Sequence, residues 1–522
     1  QAVEQPDKVA YHFMGKDTTY GEFEQTVGRF AQGLQDLGIQ KGDHVAFLLG
    51  NTPHYLIALY ATMRLGATAI PVNPIYTPDE ISYIIRNGDV KAIVALDALL
   101  PLVEMGVQAF PQVEAFIVCE TAADAATKVA GLSDAARVKT YLFSQVVATA
   151  SGLLEPVDIA EDDNAIILYT SGTTGSPKGA MLTHGNVYSN ARDVSTYLSY
   201  RAEDRIIATL PVFHVFALTV VVNAPLLSGA TVLLIPRFSP AEVFALAKEK
   251  QATVFAGVPT MYNFLYQFPD GNPEDFGTIR LAISGGASLP VALLHNFEEK
   301  FNVRVSEGYG LSEASPVTCF NPLDRERKAG SIGTTINNVE NRVVDEYGQD
   351  VPVGEVGELI VRGPNVMKGY YKMPEATRQA VDQQGWLHTG DIGTMDDEGN
   401  FRITGRLKDM IIRGGENIYP REIEEFLYTH ASVRDVQVVG VPDEKYGEEV
   451  CACVILREGE AVSEDALIEF VKAGLSRFKA PRYVLLMDAF PMTASGKIQK
   501  FKLREMGVER LQLQAAAEIE TA

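Results

Sequence analysis

The chain has 522 residues, 46% of them apolar, with 45 Lys and Arg against 67 Asp and Glu for a net charge of −22. That length exceeds what one hydrophobic core usually supports, so two or more domains are expected. The acidic balance argues against nucleic acid or an anionic membrane surface as the main partner, because both demand a basic face.

Short runs rich in Val, Ile and Leu recur along the first 300 residues: VKAIVAL from Val90, EAFIVC from Glu114, AIILYT from Ala165, RIIATL from Arg205, ATVLLI from Ala230, ATVFAG from Ala252 and IRLAIS from Ile279. Helical segments separate many of them, as in PAEVFALAKEKQ after Ser239 and PVALLHNFEEKF before Asn302. This alternation predicts an α/β fold with doubly wound, largely parallel sheets. The Ala-rich stretch from Thr121 to Gly152 reads as linker or frayed helix. The most apolar region, Ile206 to Pro236, is interrupted by Pro211, His214, Asn223, Pro225 and Gly229. Its cleanest run, Val215 to Val222, falls short of the ~20 residues of a spanning helix, so a buried helix followed by a strand is expected.

From about Gly330 the texture changes to Gly and Asp turns between alternating strands, as in GELIVRG and DDEGNFRITG, and predicts a β-barrel-like subdomain. A smaller α+β unit follows, with a GGENIYP turn, the acidic helix REIEEFLYTH, two apolar strands, the helix EDALIEFVKAG and the loop PMTASGKI. The expected division is 1–407 and 408–522. The tail from Gln512 reads as frayed helix. Cys119, Cys319, Cys451 and Cys453 are too few and scattered for a disulfide framework and read as buried, reduced residues of a cytoplasmic protein. The eight histidines form no metal-binding spacing. No secretory signal opens the chain, and Gln1 as first residue points to a trimmed amino terminus.

The segment Ile167 to Gly179, ILYTSGTTGSPKG, sets a strand before a loop of Ser, Thr and Gly that ends in Lys. Gly172, Gly175 and Gly179 let backbone amides approach an anion, Thr170, Ser171, Thr173 and Thr174 add hydroxyls, and Lys178 adds a cation. It is a phosphate cradle but not a Walker loop, because Lys178 follows Pro177 and precedes Gly179. Five further segments stand in order behind it: ISGGASLP (Ile283), EGYGLSE (Glu307), WLHTGD (Trp386), GRLKDMIIRGGENIYP (Gly405) and PMTASGKI (Pro491).

Together these six segments resemble the adenylate-forming superfamily of acyl-CoA synthetases, 4-coumarate-CoA ligases, luciferases and peptide-synthetase adenylation domains. The resemblance implies attack of a carboxylate on the α-phosphate of ATP, followed by displacement of AMP by a thiol, usually that of CoA. It implies that the loop from Thr170 to Lys178, with Thr174 catalytic, holds the β- and γ-phosphates. Glu313 would be the Mg2+ ligand, next to Ser312 where relatives often carry Thr. Tyr309 would stack on adenine against Gly286, Ala287 and Ser288, Asp391 would hold the ribose hydroxyls, and Arg406 would meet ribose or α-phosphate. Lys497 would bridge carboxylate and α-phosphate when the small domain closes, and Lys408 would be the hinge. In the second pose the Arg413 to Asn417 turn, with Gly414 and Gly415, would line a pantetheine channel. Arg477, Lys479 and Arg482 are candidates for the CoA phosphates.

His214, Phe216, Gly257, Val258 and Gly310 are expected to border the acyl group. Acetate-activating relatives tend to close the Gly310 position with Trp, so Gly here implies an open pocket, and apolar neighbours favour a medium- to long-chain fatty acid. Asn417 stands where one type of long-chain enzyme bears a Trp gate, which leaves chain length open. The alternatives are an aryl-acid or 4-coumarate type CoA ligase, a fatty acyl-AMP ligase, a luciferase-type oxygenase and a non-catalytic acyl or nucleotide sensor. A homodimer and a peripheral membrane contact stay open.

Overall fold

The computed structural model describes residues 1–170, 177–492 and 498–517. Each of the seven apolar runs named above forms a buried strand. Within the described residues an eight-stranded sheet runs edge to edge through Gly369–Tyr370, Lys178–Thr183, Asn164–Thr170, Thr68–Pro71, His44–Leu48, Val90–Leu96, Ala115–Cys119 and Thr140–Leu142. A nine-stranded sheet runs through Thr334–Thr335, Val317–Phe320, Val305–Gly310, Leu281–Ser284, Val254–Gly257, Arg205–Ala208, Thr231–Leu234, Val9–Phe13 and Lys16–Thr19. Their central pairings are parallel, while the pairings beside Lys178–Thr183 and Val317–Phe320 are antiparallel. Parallel strands with helices on their faces are buried on both sides, which explains the near-continuous apolar runs.

Helix starts follow local chemistry. In Pro240–Lys250 the Ser239 hydroxyl accepts from the Glu242 N–H, Pro240 fills the first turn where no donor is needed, and Gln251 ends the helix at φ 50°. The apolar stretch after His214 forms the turns Val215–Ala217, Leu218–Asn223 and Ala224–Leu227, then the strand Thr231–Leu234. No helix of the described residues is long and apolar enough to cross a membrane.

The Thr121 to Gly152 stretch is not a linker. It holds the helices Ala125–Ala130, Asp134–Arg137 and Phe143–Thr149 and the edge strand Thr140–Leu142. Phe143 stacks on Phe30 with ring centroids 4.5 Å apart, and Val146 sits so close to Gly33 that no Cβ would fit there. These elements are each seven residues or fewer, too short to show a period in the sequence.

The turn-rich region forms an antiparallel sheet in the order Glu340–Val344, Gly357–Arg362, Leu387–Met395, Phe401–Arg406. Beyond it, Glu416–Ile418, Ile411–Arg413, Gly447–Leu456 and Val433–Asp443 pair in series, and Tyr483–Leu486 joins Gly447–Leu456 in parallel. Arg421, from helix Pro420–Leu427, ties this sheet to the preceding one. It is 7% exposed and donates from Nη1 to the Ile403 carbonyl at 2.7 Å. Cys119, Cys319, Cys451 and Cys453 are buried and unpaired.

Candidate active site

Several candidate residues stand at the carboxyl ends of strands in the two large, mainly parallel sheets, where α/β sheets bind ligands. Thr170 ends Asn164–Thr170, Gly257 ends Val254–Gly257, Gly286 follows Leu281–Ser284, and Tyr309 and Gly310 end Val305–Gly310. Ser171, Gly172, Thr173, Thr174 and Gly175 lie outside the described residues, as does Lys497. The residues that flank them are defined: Thr170 pairs with Lys178 across antiparallel strands, and its hydroxyl lies 3.4 Å from the Lys178 carbonyl.

Lys178 and Glu313 meet at one side chain, Tyr370. The lysine Nζ lies 5.2 Å from the Tyr370 ring centroid, and the Tyr370 hydroxyl donates to Glu313 Oε1 at 2.9 Å. Glu313 belongs to the turn Ser312–Ala314, and its backbone carbonyl accepts from the Met367 N–H at 2.8 Å. Among the described residues no group of three or more His, Cys, Asp or Glu could hold a metal. A lone carboxylate still suits a magnesium ion whose remaining ligands are waters and substrate phosphates.

A second cluster is set by strand register. Asp391 on Leu387–Met395 faces Arg406 on Phe401–Arg406, and Arg406 Nε lies 2.8 Å from Asp391 Oδ1. Asp391 is 3% exposed and also accepts from the Tyr309 hydroxyl, whose pKa is driven up first by burial and then by that carboxylate. The Asp391 N–H donates to Thr389 Oγ1 at 3.0 Å. Arg406 is thus engaged with Asp391, and its side chain is 41% exposed. Lys408 follows in the turn Leu407–Asp409, its pKa lowered by burial and by the neighbouring Arg406 charge.

The loop expected to hold the base is exposed at Gly286, Ala287 and Ser288, with Gly286 at φ 79°. A Cβ on Gly285 would lie 3.0 Å from the Phe216 ring, and one on Gly286 would lie 3.5 Å from Val258 Cγ1. Phe216 and Val258 therefore pack against the backbone of Gly285 and Gly286, and the Gly285 N–H donates to the Gly257 carbonyl at 3.3 Å. His214 caps the helix turn Val215–Ala217, its Nδ1 accepting from the Phe216 N–H at 3.3 Å. Gly310 has a reason to be glycine apart from an open pocket. A Cβ there would stand 2.2 Å from the Pro316 carbonyl oxygen, so the close approach of Val305–Gly310 and Val317–Phe320 excludes a side chain.

Gly414 and Gly415 form a turn with φ 59° and 90°. Its root, Arg413, is held by Glu449, which is fully buried, with Nε 2.9 Å from Oε2 and Nη2 2.9 Å from Oε1, and by the Phe478 carbonyl. Of the cations considered for CoA phosphates, Lys479 is paired to Glu422 at 2.7 Å and Arg482 to Asp443 at 3.1 Å, while Arg477 is exposed.

Family models agree over most of the chain. Residues 1–371 match the AMP-binding enzyme family and residues 422–497 the AMP-binding enzyme C-terminal domain. The chain belongs to the AMP-binding enzyme family. It is 36% identical to a long-chain-fatty-acid–CoA ligase of Bacillus subtilis (strain 168), over 97% of this chain and 92% of that one. It is 35% identical to a feruloyl-CoA synthase of Amycolatopsis sp, over 96% of each. The ATP-bound structure of MatB from Rhodopseudomonas palustris superposes with a TM-score of 0.85 at 33% identity, over 96% of this chain and 95% of that one. Its class is that of AMP-forming acyl-CoA ligases.

Four residues that sequence reasoning did not select, Tyr370, Glu307, Arg421 and Glu449, are held by specific contacts. Tyr370 gave no signal beyond its place after a glycine. Glu307 stood in view as a carboxylate inside the apolar strand Val305–Gly310; it is 2% exposed, accepts from the Leu289 N–H at 3.1 Å, and burial pushes its pKa up to about 7. Arg421 and Glu449 look like ordinary surface charges in sequence, and only tertiary burial distinguishes them.

Proposed function

We propose that the enzyme activates a medium- to long-chain fatty acid with ATP and transfers it to CoA. The carboxylate oxygen attacks the α-phosphorus, the bond to the β-phosphate oxygen breaks, and pyrophosphate leaves. The CoA thiolate then attacks the acyl carbonyl and AMP departs. Both partners of the first step are anions, so charge neutralisation and alignment carry the catalysis. Lys178 and the hydroxyls of Ser171, Thr173 and Thr174 would hold the β- and γ-phosphates. Glu313 would hold magnesium, which when bound offsets phosphate charge.

Asp391 would release Tyr309 to lie against adenine and accept the ribose hydroxyls, with Arg406 turning to the phosphate side. Lys497 would enter from the unit 408–522 for the first step, and the Gly414–Gly415 turn would replace it for the second, the motion centred on Lys408. The hinge reading is supported by the turn Leu407–Asp409 lying between two separate sheets and beside Arg406.

The observation that carries the substrate class is the apolar wall of Phe216 and Val258 against the two glycines that open the base-binding loop. Each buried methylene would add ~0.8 kcal/mol, so affinity should climb with chain length until the tunnel ends. The Phe216 ring also suits an aromatic acid, which keeps the aryl-acid ligase as the second reading. AMP release with Mg-ATP and CoA across acetate, octanoate, palmitate, oleate and 4-coumarate separates them. Turnover peaking on fatty acids is expected; a peak on coumarate would replace the alkyl reading, and silence throughout would refute both.

A further inference from the structure

Tyr370 joins the two charged groups on which phosphate chemistry would depend. Its hydroxyl bonds Glu313 Oε1 at 2.9 Å and its ring lies 5.2 Å from Lys178 Nζ. The backbone leaves it little choice of place. Tyr370 pairs with Ala180 and Gly369 with Met181 on the strand that begins at Lys178. The Tyr371 N–H donates to the Gly179 carbonyl, the Tyr370 N–H to Thr377 Oγ1 at 2.8 Å, and the Met367 N–H to the Glu313 carbonyl. Gly369 sits at φ 144°, and a Cβ there would stand 2.7 Å from the Thr377 methyl, so this close approach needs glycine. Residues 367–371 thus stitch the Glu313 turn to the strand that leaves the phosphate loop.

We propose that Tyr370 is a positioning residue for the metal–nucleotide: its hydroxyl fixes one oxygen of Glu313 and leaves the other for magnesium, while its ring holds the Lys178 ammonium at the mouth of the phosphate loop. The assignment rests on the ATP and magnesium reading above. A phenolic donor to a carboxylate is a charge-assisted bond, and a cation over an aromatic face is a separate, sequence-tolerant attraction. The two functions can therefore be removed one at a time.

The test is calorimetric titration of ATP into the full chain and its Tyr370→Phe and Tyr370→Leu variants, with and without magnesium, beside their thermal unfolding. Phe keeps the ring and loses the hydroxyl. It should leave metal-free ATP affinity unchanged and cut the gain in affinity that magnesium confers by about tenfold, the value of a hydrogen bond to a charged group. Leu should in addition weaken metal-free binding by roughly threefold, since Lys178 loses its ring. Equal weakening by Phe with and without magnesium would mean a structural tyrosine and overturn the assignment, as would an intact magnesium gain. A parent chain that binds no ATP would overturn the nucleotide reading itself. If Leu does not fold, Phe alone decides.

Discussion

Replacing Arg413 with Ala removes one half of a buried ion pair and leaves Glu449, fully buried in strand Gly447–Leu456, without its nearer cationic partner. Stranding a buried charge in this way costs about 3–5 kcal/mol. Arg482 Nη1 stays 3.5 Å from Glu449 Oε1 but is half exposed, so it compensates only in part and sets the expectation near the lower end, about 3 kcal/mol. Loss of the contact between Arg413 and the Tyr446 ring, at 5.7 Å, acts in the same direction. The cost should be local. Hydrogen exchange followed by mass spectrometry should show amides of Gly447–Leu456 opening on the order of a hundredfold faster in R413A, with the sheet through Asn164–Thr170 unaffected. The double variant Arg413→Met with Glu449→Leu should exchange close to the parent, because no unpaired charge remains. Parent-like exchange in R413A, or a double variant as labile as R413A, would refute the reasoning.

Three further outcomes follow from particular side chains. Glu307 titrates near 7 in the folded chain against an ordinary value of 4.5, so the fold binds its proton more tightly than the unfolded chain does; the resulting stability is complete below about 4.5 and is lost as pH rises through about 7, on the order of 3 kcal/mol in all. The Glu307→Gln variant should therefore show a flatter melting profile between pH 5 and 8, and parallel profiles would rule this out. Gly310→Ala must push its Cβ against the Pro316 carbonyl and should lose roughly 1–3 kcal/mol in denaturant titration; a shift in substrate preference with unchanged stability would instead favour the open-pocket account. Lys497→Ala should lower adenylate formation by roughly three decades while sparing thioester formation from supplied acyl-adenylate, from the ~4 kcal/mol attraction of charges 4 Å apart at a dielectric of 20. Equal loss in both half-reactions would reject that role.

Much of the architecture was legible because burial on both faces forces continuous apolar runs. All seven became strands. The Thr121 to Gly152 stretch holds elements too short to show a period, the helices Ala125–Ala130, Asp134–Arg137 and Phe143–Thr149 and the strand Thr140–Leu142, and its alanines give no pattern of their own. Motif order likewise marked Lys178, Glu313, Tyr309, Asp391 and Arg406, since a cradle for anions needs glycine, hydroxyl and cation in close succession.

Contacts between segments far apart in the chain carry no such signature. That Asp391 faces Arg406 follows from antiparallel register; that Tyr370 reaches Glu313 across 57 positions, or that Arg413 finds Glu449, follows from how sheets and turns pack. The meaning of Gly310 changed for the same reason, because a missing side chain reads as open space in a sequence and as a neighbouring backbone in the fold. Sequence alone determined the class of chemistry, since that depends on which groups are present in order; tertiary structure decided which of those groups are held, paired or buried, since charge and hydrogen bonding act through space over a few ångströms.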